Sequence, residues 1–356
     1  LKDILGPEAV STIADAGATS SPSFDRGTFV RASLDGLDAL SIMERVRHIA
    51  DALNAALPAD YAVALNIVRH MAPQLTHAFQ AVAVTEFVAR YGLGDFDRSM
   101  DALAYLTRFG SAEFAIRPFL ARDCDRTLAT MMRWCSDENE HVRRLASEGS
   151  RPRLPWATRI PRLREDPTLA ASILEALKSD PSLYVRKSVA NHLNDISRDR
   201  ADWLVDRLSG WTNDDPRTMW IVRHALRTLI KKGDPRALAL VGARHDAAIE
   251  VRHFSVEPSS VRLGEMISIT VELLSSAEAS QRLVVDFRIH YVRERGKTAA
   301  KVFKFKTFDL AAGAAATFRK KQTIQDFSTR RHHSGRHEVE LLVNGKALAS
   351  GAFDLT

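Results

Sequence analysis

One helical signature recurs three times in the first two-thirds of the chain, and it limits what the chain can build. His141-Val142-Arg143-Arg144-Leu145-Ala146, Tyr184-Val185-Arg186-Lys187-Ser188-Val189-Ala190 and Trp220-Ile221-Val222-Arg223-His224-Ala225-Leu226 each set a Val-Arg pair at the same point of an apolar helical period. The pairs stand 43 and 37 residues apart, and each follows a short polar link at 136–140, 179–182 or 213–216. A period of ~40–47 residues belongs to two-helix, HEAT-type units, which bury their apolar faces only by stacking on one another. Ile116-Arg117 resembles a fourth, degenerate copy at the wrong spacing. In such arrays the Arg commonly pairs with an Asp of the neighbouring unit, so Arg186 and Arg223 are expected to be structural. Upstream, apolar residues recur at three- and four-residue intervals in 40–57, 61–71, 78–91, 100–109 and 112–121, with Pro, Gly, Asp or Ser at the joints.

The period changes to two near residue 249. Ile267, Ile269, Val271 and Leu273 alternate with polar residues, as do Leu283, Val285, Phe287, Ile289 and Tyr291. Further runs cover 251–256, 302–308, 317–324, 337–343 and 347–353, separated by turn signals such as Gly296, Ser334-Gly335 and Asn344-Gly345. About seven short strands in ~110 residues predict an immunoglobulin-like sandwich. The expected class is therefore multidomain, α then β: a HEAT-like α-solenoid over 1–246 followed by an immunoglobulin-like β-sandwich over 247–356.

Charge is distributed unevenly. Residues 247–356 carry 17 Lys and Arg against 12 Asp and Glu, whereas the preceding residues carry 33 against 32. Within that neutral part, 141–165 holds seven Arg against two acids. Guanidinium forks match phosphate oxygens, so nucleic acid is the leading partner class. No apolar run reaches the ~18–20 residues of a membrane span. The opening LKDILGPEAV lacks a basic segment followed by an apolar core, so no signal peptide is expected. Cys124 and Cys135 make no disulfide framework and have no His at zinc-like spacing, which points to the cytoplasm and away from a metal.

The stretch 148–166, EGSRPRLPWATRIPRLRED, joins two helices without reading as helix or strand itself. Pro152, Pro155 and Pro161 each remove a backbone donor. Five Arg (151, 153, 159, 162, 164) and one Trp, Trp156, occupy it. Glu148 is expected to end the helix of the first repeat and Asp195 the helix of the second. Acids at helix C-termini oppose the helix dipole, and two at matching ends project negative potential toward one edge. Such an edge favours a cation, to which Trp156 adds cation–π attraction. The plainer reading makes each acid an exposed helix-end carboxylate paired with a nearby Arg, and makes Trp156 the packing of the loop onto the solenoid. Ser111 reads as an N-cap, which puts Glu113 in a first helical turn. His192 shares a helix face with Asp195, as a hydrogen-bond partner or a core residue.

A cationic guest, a phosphate-binding rim and no metal fit one chemistry. An alkylated base that carries positive charge leaves readily, and a carboxylate near C1′ then stabilises the oxocarbenium-like sugar and positions water.

The segments HVRRLASEGSRPRLPW (141–156), SDPSLYVRKSVANHLNDIS (179–197) and WIVRHALRTLIKKGDPRAL (220–238) closely resemble the AlkC branch of the HEAT-like-repeat alkylbase DNA glycosylases, over roughly residues 1–246. One subgroup of that branch carries an appended immunoglobulin-like domain. The resemblance implies hydrolytic excision of 3-methyladenine and 3-methylcytosine from double-stranded DNA by a monomer, with neither cofactor nor metal. It implies that Glu113, Glu148, Trp156 and Asp195 form the site. It further implies access through a bend in the DNA rather than full flipping of the base. Phosphates are expected on Arg151, Arg153 and Arg159, and on the basic sandwich turns Arg293, Arg295, Lys297, Arg330 and Arg331. Two readings without catalysis compete: a protein scaffold and a DNA-structure-binding module.

Overall fold

The computed structural model describes residues 2–211, 215–327 and 331–356. Two compact units divide them. The first runs to Leu204 and includes the helix Pro216–Ala225; the second takes Val205 onward to the end of that segment and everything from Leu226.

The first unit is helical throughout. Capping and periodicity explain its elements locally. The helix Ile42–Ala56 starts at Ser41, whose backbone N–H donates to Glu44 (2.8 Å), and it buries Val46, Ile49, Ala50 and Leu53 at helical spacing. The predicted helices 61–71 and 78–91 are present as Tyr61–Met71 and Ala78–Tyr91. The run 100–109 is displaced to Phe96–Leu106, because Asp95 caps it by accepting from Arg98 N. The run 112–121 is helical only from Arg117 to Arg122. Residues 112–116 turn instead, so Ser111 caps no helix and Glu113 lies outside one. Apolar spacing alone could not distinguish buried turn residues, Ala112, Ala115 and Ile116, from a helix face.

The three repeat helices are Glu140–Gly149, Leu183–Ile196 and Pro216–Ala225; the second packs against both others. Their arginines explain the motif. Arg143 forks onto Asp180 of the next repeat (Nε 2.7 Å, Nη2 3.1 Å) and donates Nη1 to the carbonyls of Asp137 and Glu138 (2.9 Å each). Arg186 repeats the second half of this pattern on the carbonyls of Asp180 and Pro181 (2.7 and 2.8 Å). The guanidinium thus holds the polar link preceding its own helix, while Asp180 joins consecutive repeats. Arg223 is exposed. Among the described residues no helix is long and apolar enough to cross a membrane.

The second unit is the sandwich with two short helices before it. Its strands are β1 Ile249–Glu257, β2 Ser260–Val261, β3 Met266–Ser275, β4 Gln281–Val292, β5 Thr298–Leu310, β6 Ala315–Thr323, β7 Gly335–Val343 and β8 Lys346–Leu355. They form sheets ordered β1-β3-β6 and β2-β8-β7-β4-β5. The predicted alternation is realised: Ile267, Ile269, Val271 and Leu273 face Leu283, Val285, Phe287 and Ile289 in one core. The β7–β8 hairpin turns through Asn344 and Gly345, both at positive φ (46° and 82°).

The boundary expected at 246/247 falls inside this unit. The helices Arg227–Lys232 and Pro235–Leu240 belong to it, with Leu238 and Ala243 buried against Val284 of β4. A Cβ on Gly345 would lie 2.3 Å from Gly233 Cα, so two glycine backbones meet there. Asn344 is wholly buried; its Oδ1 accepts from Val284 N (2.7 Å) and its Nδ2 donates to the carbonyls of Arg244 (2.6 Å) and Arg282 (3.2 Å). Removing that amide strands one donor and two acceptors. Asn344→Ala is expected to cost about 1–3 kcal/mol of unfolding free energy; an unshifted urea midpoint would refute this account of the joint.

Candidate active site at the ends of two repeat helices

The loop between the first two repeats is held by one buried side chain. Arg117 donates Nη1 to the carbonyls of Gly149 and Arg151 (2.8 Å each), and Nε and Nη2 to that of Thr158 (3.0 and 2.8 Å). It therefore closes the loop 150–158 at both ends. Burial pushes this guanidinium down to about 10, which leaves it charged at neutral pH. The chain passes so close to its neighbour that a Cβ on Gly149 would meet Ile116 Cγ2 at 2.6 Å. The loop ends earlier than its sequence suggests, because Pro161 opens the short helix Pro161–Glu165 as its first residue.

The closed loop presents Trp156. Its backbone sits at φ 66°, a region rarely populated by a bulky side chain. The indole is 58 % exposed, with the Phe79 ring 6.5 Å away. An exposed indole on strained backbone suits a contact made with something outside the chain.

Where this loop leaves its helix, a chain of alternating charges begins. Glu148, at the end of its helix, receives Arg151 Nη1 on Oε1 (2.6 Å) and the Ser188 hydroxyl on Oε2 (2.6 Å). Arg151 Nε also donates to Asp195 Oδ2 (2.8 Å), at the end of the next repeat helix. On the other side Arg144 lies 3.6 Å from Glu148 and 3.2 Å from Glu113, donates to Ser111 Oγ (2.7 Å) and stacks 4.7 Å above the Tyr184 ring. Three carboxylates are thereby linked through two guanidiniums. Each acid is buried and keeps 5–9 % of its surface.

Their protonation differs for physical reasons. Burial pushes Glu148 up, but Arg144, Arg151 and the Ser188 hydroxyl outweigh it and hold the carboxylate below its usual range. Burial dominates at Glu113 and Asp195 and leaves both above theirs, despite Arg144 and Arg151 respectively. His192 is buried against the Ser147 carbonyl (3.0 Å) and burial drives it down to about 3, so it is a neutral core residue. Glu148 is thus a carboxylate at neutral pH, able to face positive charge and unable to donate a proton.

The three predicted acids are linked through Arg144 and Arg151, and Trp156 stands on the loop that follows Glu148, but several predicted phosphate contacts are engaged elsewhere. Arg151 is 8 % exposed and spends its fork on Glu148 and Asp195, so its charge serves the acids. Arg153 forks onto Asp199 (2.9 and 2.8 Å), which Arg164 shares at 3.2 Å. Arg159 is exposed on a cleft it lines with Arg164 and Arg200. In the sandwich, Arg293, Lys297 and Arg331 are exposed at one end of the larger sheet, where β4 finishes and β7 begins. Arg330 and the Arg295 side chain lie outside the described residues. Sequence reasoning missed Arg144, Arg117, Ser188 and Tyr184. Arg144 stood four residues before Glu148, a helical ion-pair spacing, and Arg117 stood in the degenerate repeat copy.

Along its whole length the chain is similar to known proteins. The family described as "DNA alkylation repair enzyme" matches residues 60–229, and the "Uncharacterised protein YhaZ, C-terminal Ig-like domain" matches 250–356. The chain is 36 % identical to the uncharacterized protein YhaZ of Bacillus subtilis, over all of this chain and 99 % of the relative. It is 50 % identical, with a TM-score of 0.96, to the solved Pseudomonas fluorescens alkylpurine DNA glycosylase AlkC bound to DNA containing an abasic site analog; the match covers 100 % of this chain and 99 % of that one. With a helical unit, an Ig-like domain and a full-length likeness to AlkC, the chain belongs to the AlkC family of DNA glycosylases.

Proposed function

We propose that the chain hydrolyses the N-glycosidic bond of cationic alkylated bases in double-stranded DNA, 3-methyladenine and 3-methylcytosine among them. The observation that carries this reading is the ionised, buried Glu148, at the start of the loop that exposes Trp156. A methylated base bearing positive charge needs no proton to leave. As its bond to C1′ lengthens, charge moves onto the sugar, and a fixed carboxylate in a low-dielectric site stabilises that charge. Glu148 faces the sugar and holds the attacking water; Glu113 and Asp195 extend the negative surface around it. The Trp156 face takes the cationic base by cation–π attraction. The solved AlkC relative is bound to DNA containing an abasic site analog, which supports a DNA partner here. The lesion is met at a bend in the DNA without full flipping of the base, with the exposed loop tip reaching the strand. Arg159 and the sandwich cations Arg293, Lys297 and Arg331 hold phosphates, since all four are exposed. These reactions complete the first step of base excision repair.

Glu148→Gln keeps the shape of the side chain and removes its charge. Single-turnover release of 3-methyladenine should fall at least ~100-fold, the scale for losing one electrostatic stabiliser, while DNA binding persists. Near-normal release would remove Glu148 from the chemistry.

The pH dependence follows from the sign of the Glu148 shift. A carboxylate held below its usual range stays charged until the pH drops through that lowered value. The single-turnover rate should therefore stay flat from pH 8 to about pH 5.5. An acid limb near pH 6.5 would assign the essential group to a histidine instead.

Binding should also depend on salt through the sandwich. Replacing Arg293, Lys297 and Arg331 together by Ala should reduce the slope of log K against log salt by up to ~2–3, at about 0.9 per phosphate contact. An unchanged slope places the duplex elsewhere.

A further inference from the structure

Arg144 has no counterpart in the expected site, yet it touches more of that site than any residue proposed for catalysis. Its Nη1 reaches both Ser111 Oγ (2.7 Å) and Glu113 Oε2 (3.2 Å), and its Nη2 stands 3.6 Å from Glu148 Oε1. Tyr184 supports the guanidinium plane from the next repeat helix at 4.7 Å, and the His141 ring meets Tyr184 edge-on at 5.4 Å. The turn holding Glu113, the helix holding Glu148 and the helix holding Tyr184 therefore converge on one side chain. We infer that Arg144 is a positioning residue for base release: it fixes the Glu113 and Glu148 carboxylates side by side and holds both against the same site.

The inference rests on the glycosylase chemistry proposed for Glu148. Its physical basis is the cost of like charges. Two carboxylates sharing a poorly hydrated site do not both stay ionised unless a cation lies between them. Arg144 is the cation between these two, with its side chain only 15 % exposed and so little screened by solvent. The groups facing Glu148 come from every neighbouring element: Arg144 on its own helix, Arg151 and the Arg117-clamped loop, Glu113 on the turn, and Ser188, Tyr184, His192 and Asp195 on the next helix. Arg151 already divides its charge between Glu148 and Asp195. Without Arg144, Glu113 would lose its guanidinium, and Glu148 would be left with the one it divides with Asp195. Lysine cannot replace the geometry, because a single ammonium has no planar fork to span two acids and a hydroxyl or to lie flat on a ring.

The test measures single-turnover release of 3-methyladenine from pH 4.5 to 8, normalised to folded protein, for wild type, Arg144→Gln, Arg144→Lys and Glu148→Gln. Arg144→Gln should move the acid limb upward by at least ~1 pH unit, within the range caused by losing a neighbouring opposite charge. Arg144→Lys should leave the limb near its wild-type position and lower the plateau rate about tenfold, as a misplaced catalytic group does. A purely structural role would lower the melting temperature and move neither limb nor plateau, which would overturn the inference. Should Arg144→Gln not fold, Arg144→Lys decides alone: an unchanged plateau overturns the positioning role. Glu148→Gln separates the two levels of the argument. If it releases base normally, the glycosylase role of Glu148 fails; if it is inactive while the Arg144 variants keep the wild-type profile, only the inference about Arg144 fails.

Discussion

Burying a guanidinium is costly unless its donors are engaged, and the helical unit buries two and largely covers a third around a single loop. Arg117, Arg144 and Arg151 divide the task. Arg117 spends its donors on three backbone carbonyls and so converts a proline-rich connection into a closed loop. Arg144 and Arg151 spend theirs on acids from three separate elements. The position of Trp156, the charge of Glu148 and the approach of Asp195 all depend on these contacts. Breaking one would leave an uncompensated charge in a low-dielectric setting, so the arrangement is all-or-none rather than adjustable.

That rigidity has a chemical use. A site that stabilises a transient sugar cation gains most when its negative charge is already in place and need not reorganise. The usual means of keeping a buried carboxylate ionised is a paired cation, which also cancels its field. Here three acids share two bridging guanidiniums, so pairing preserves ionisation at Glu148 without neutralising the cluster contact by contact. A neutral His192 beneath the loop adds no competing positive charge. Membership of a glycosylase family removes the scaffold and simple DNA-binder readings that composition left open.

Much of this was legible beforehand, and the reasons differ by element. Strand alternation located all seven anticipated strands, because period two admits one register on a half-buried sheet. The Val-Arg repeats were legible because Arg143 and Arg186 each serve the link of their own helix, a local job repeated at a fixed offset. The turn at 112–116 was misread as helix, since buried apolar residues at three- and four-residue spacing look alike in both. The compact units divide at 225/226 rather than at 246/247, since the short helices before the sandwich pack onto it through Gly233, Asn344 and Val284, contacts that local sequence does not show.

The linear chain by itself determined the two kinds of structure, the order in which they occur, and the presence of acids at the ends of two repeat helices. Those follow from side-chain periodicity and from residues near one another along the backbone. Only the tertiary structure decided what each arginine does. Arg151 looked like a phosphate contact and reaches an aspartate 44 residues downstream. Arg144 looked like part of a motif and reaches a glutamate 31 residues upstream. A guanidinium is chemically the same whether it meets phosphate, carbonyl or carboxylate. Which of these it meets is settled by the long-range packing that brings the partner within reach.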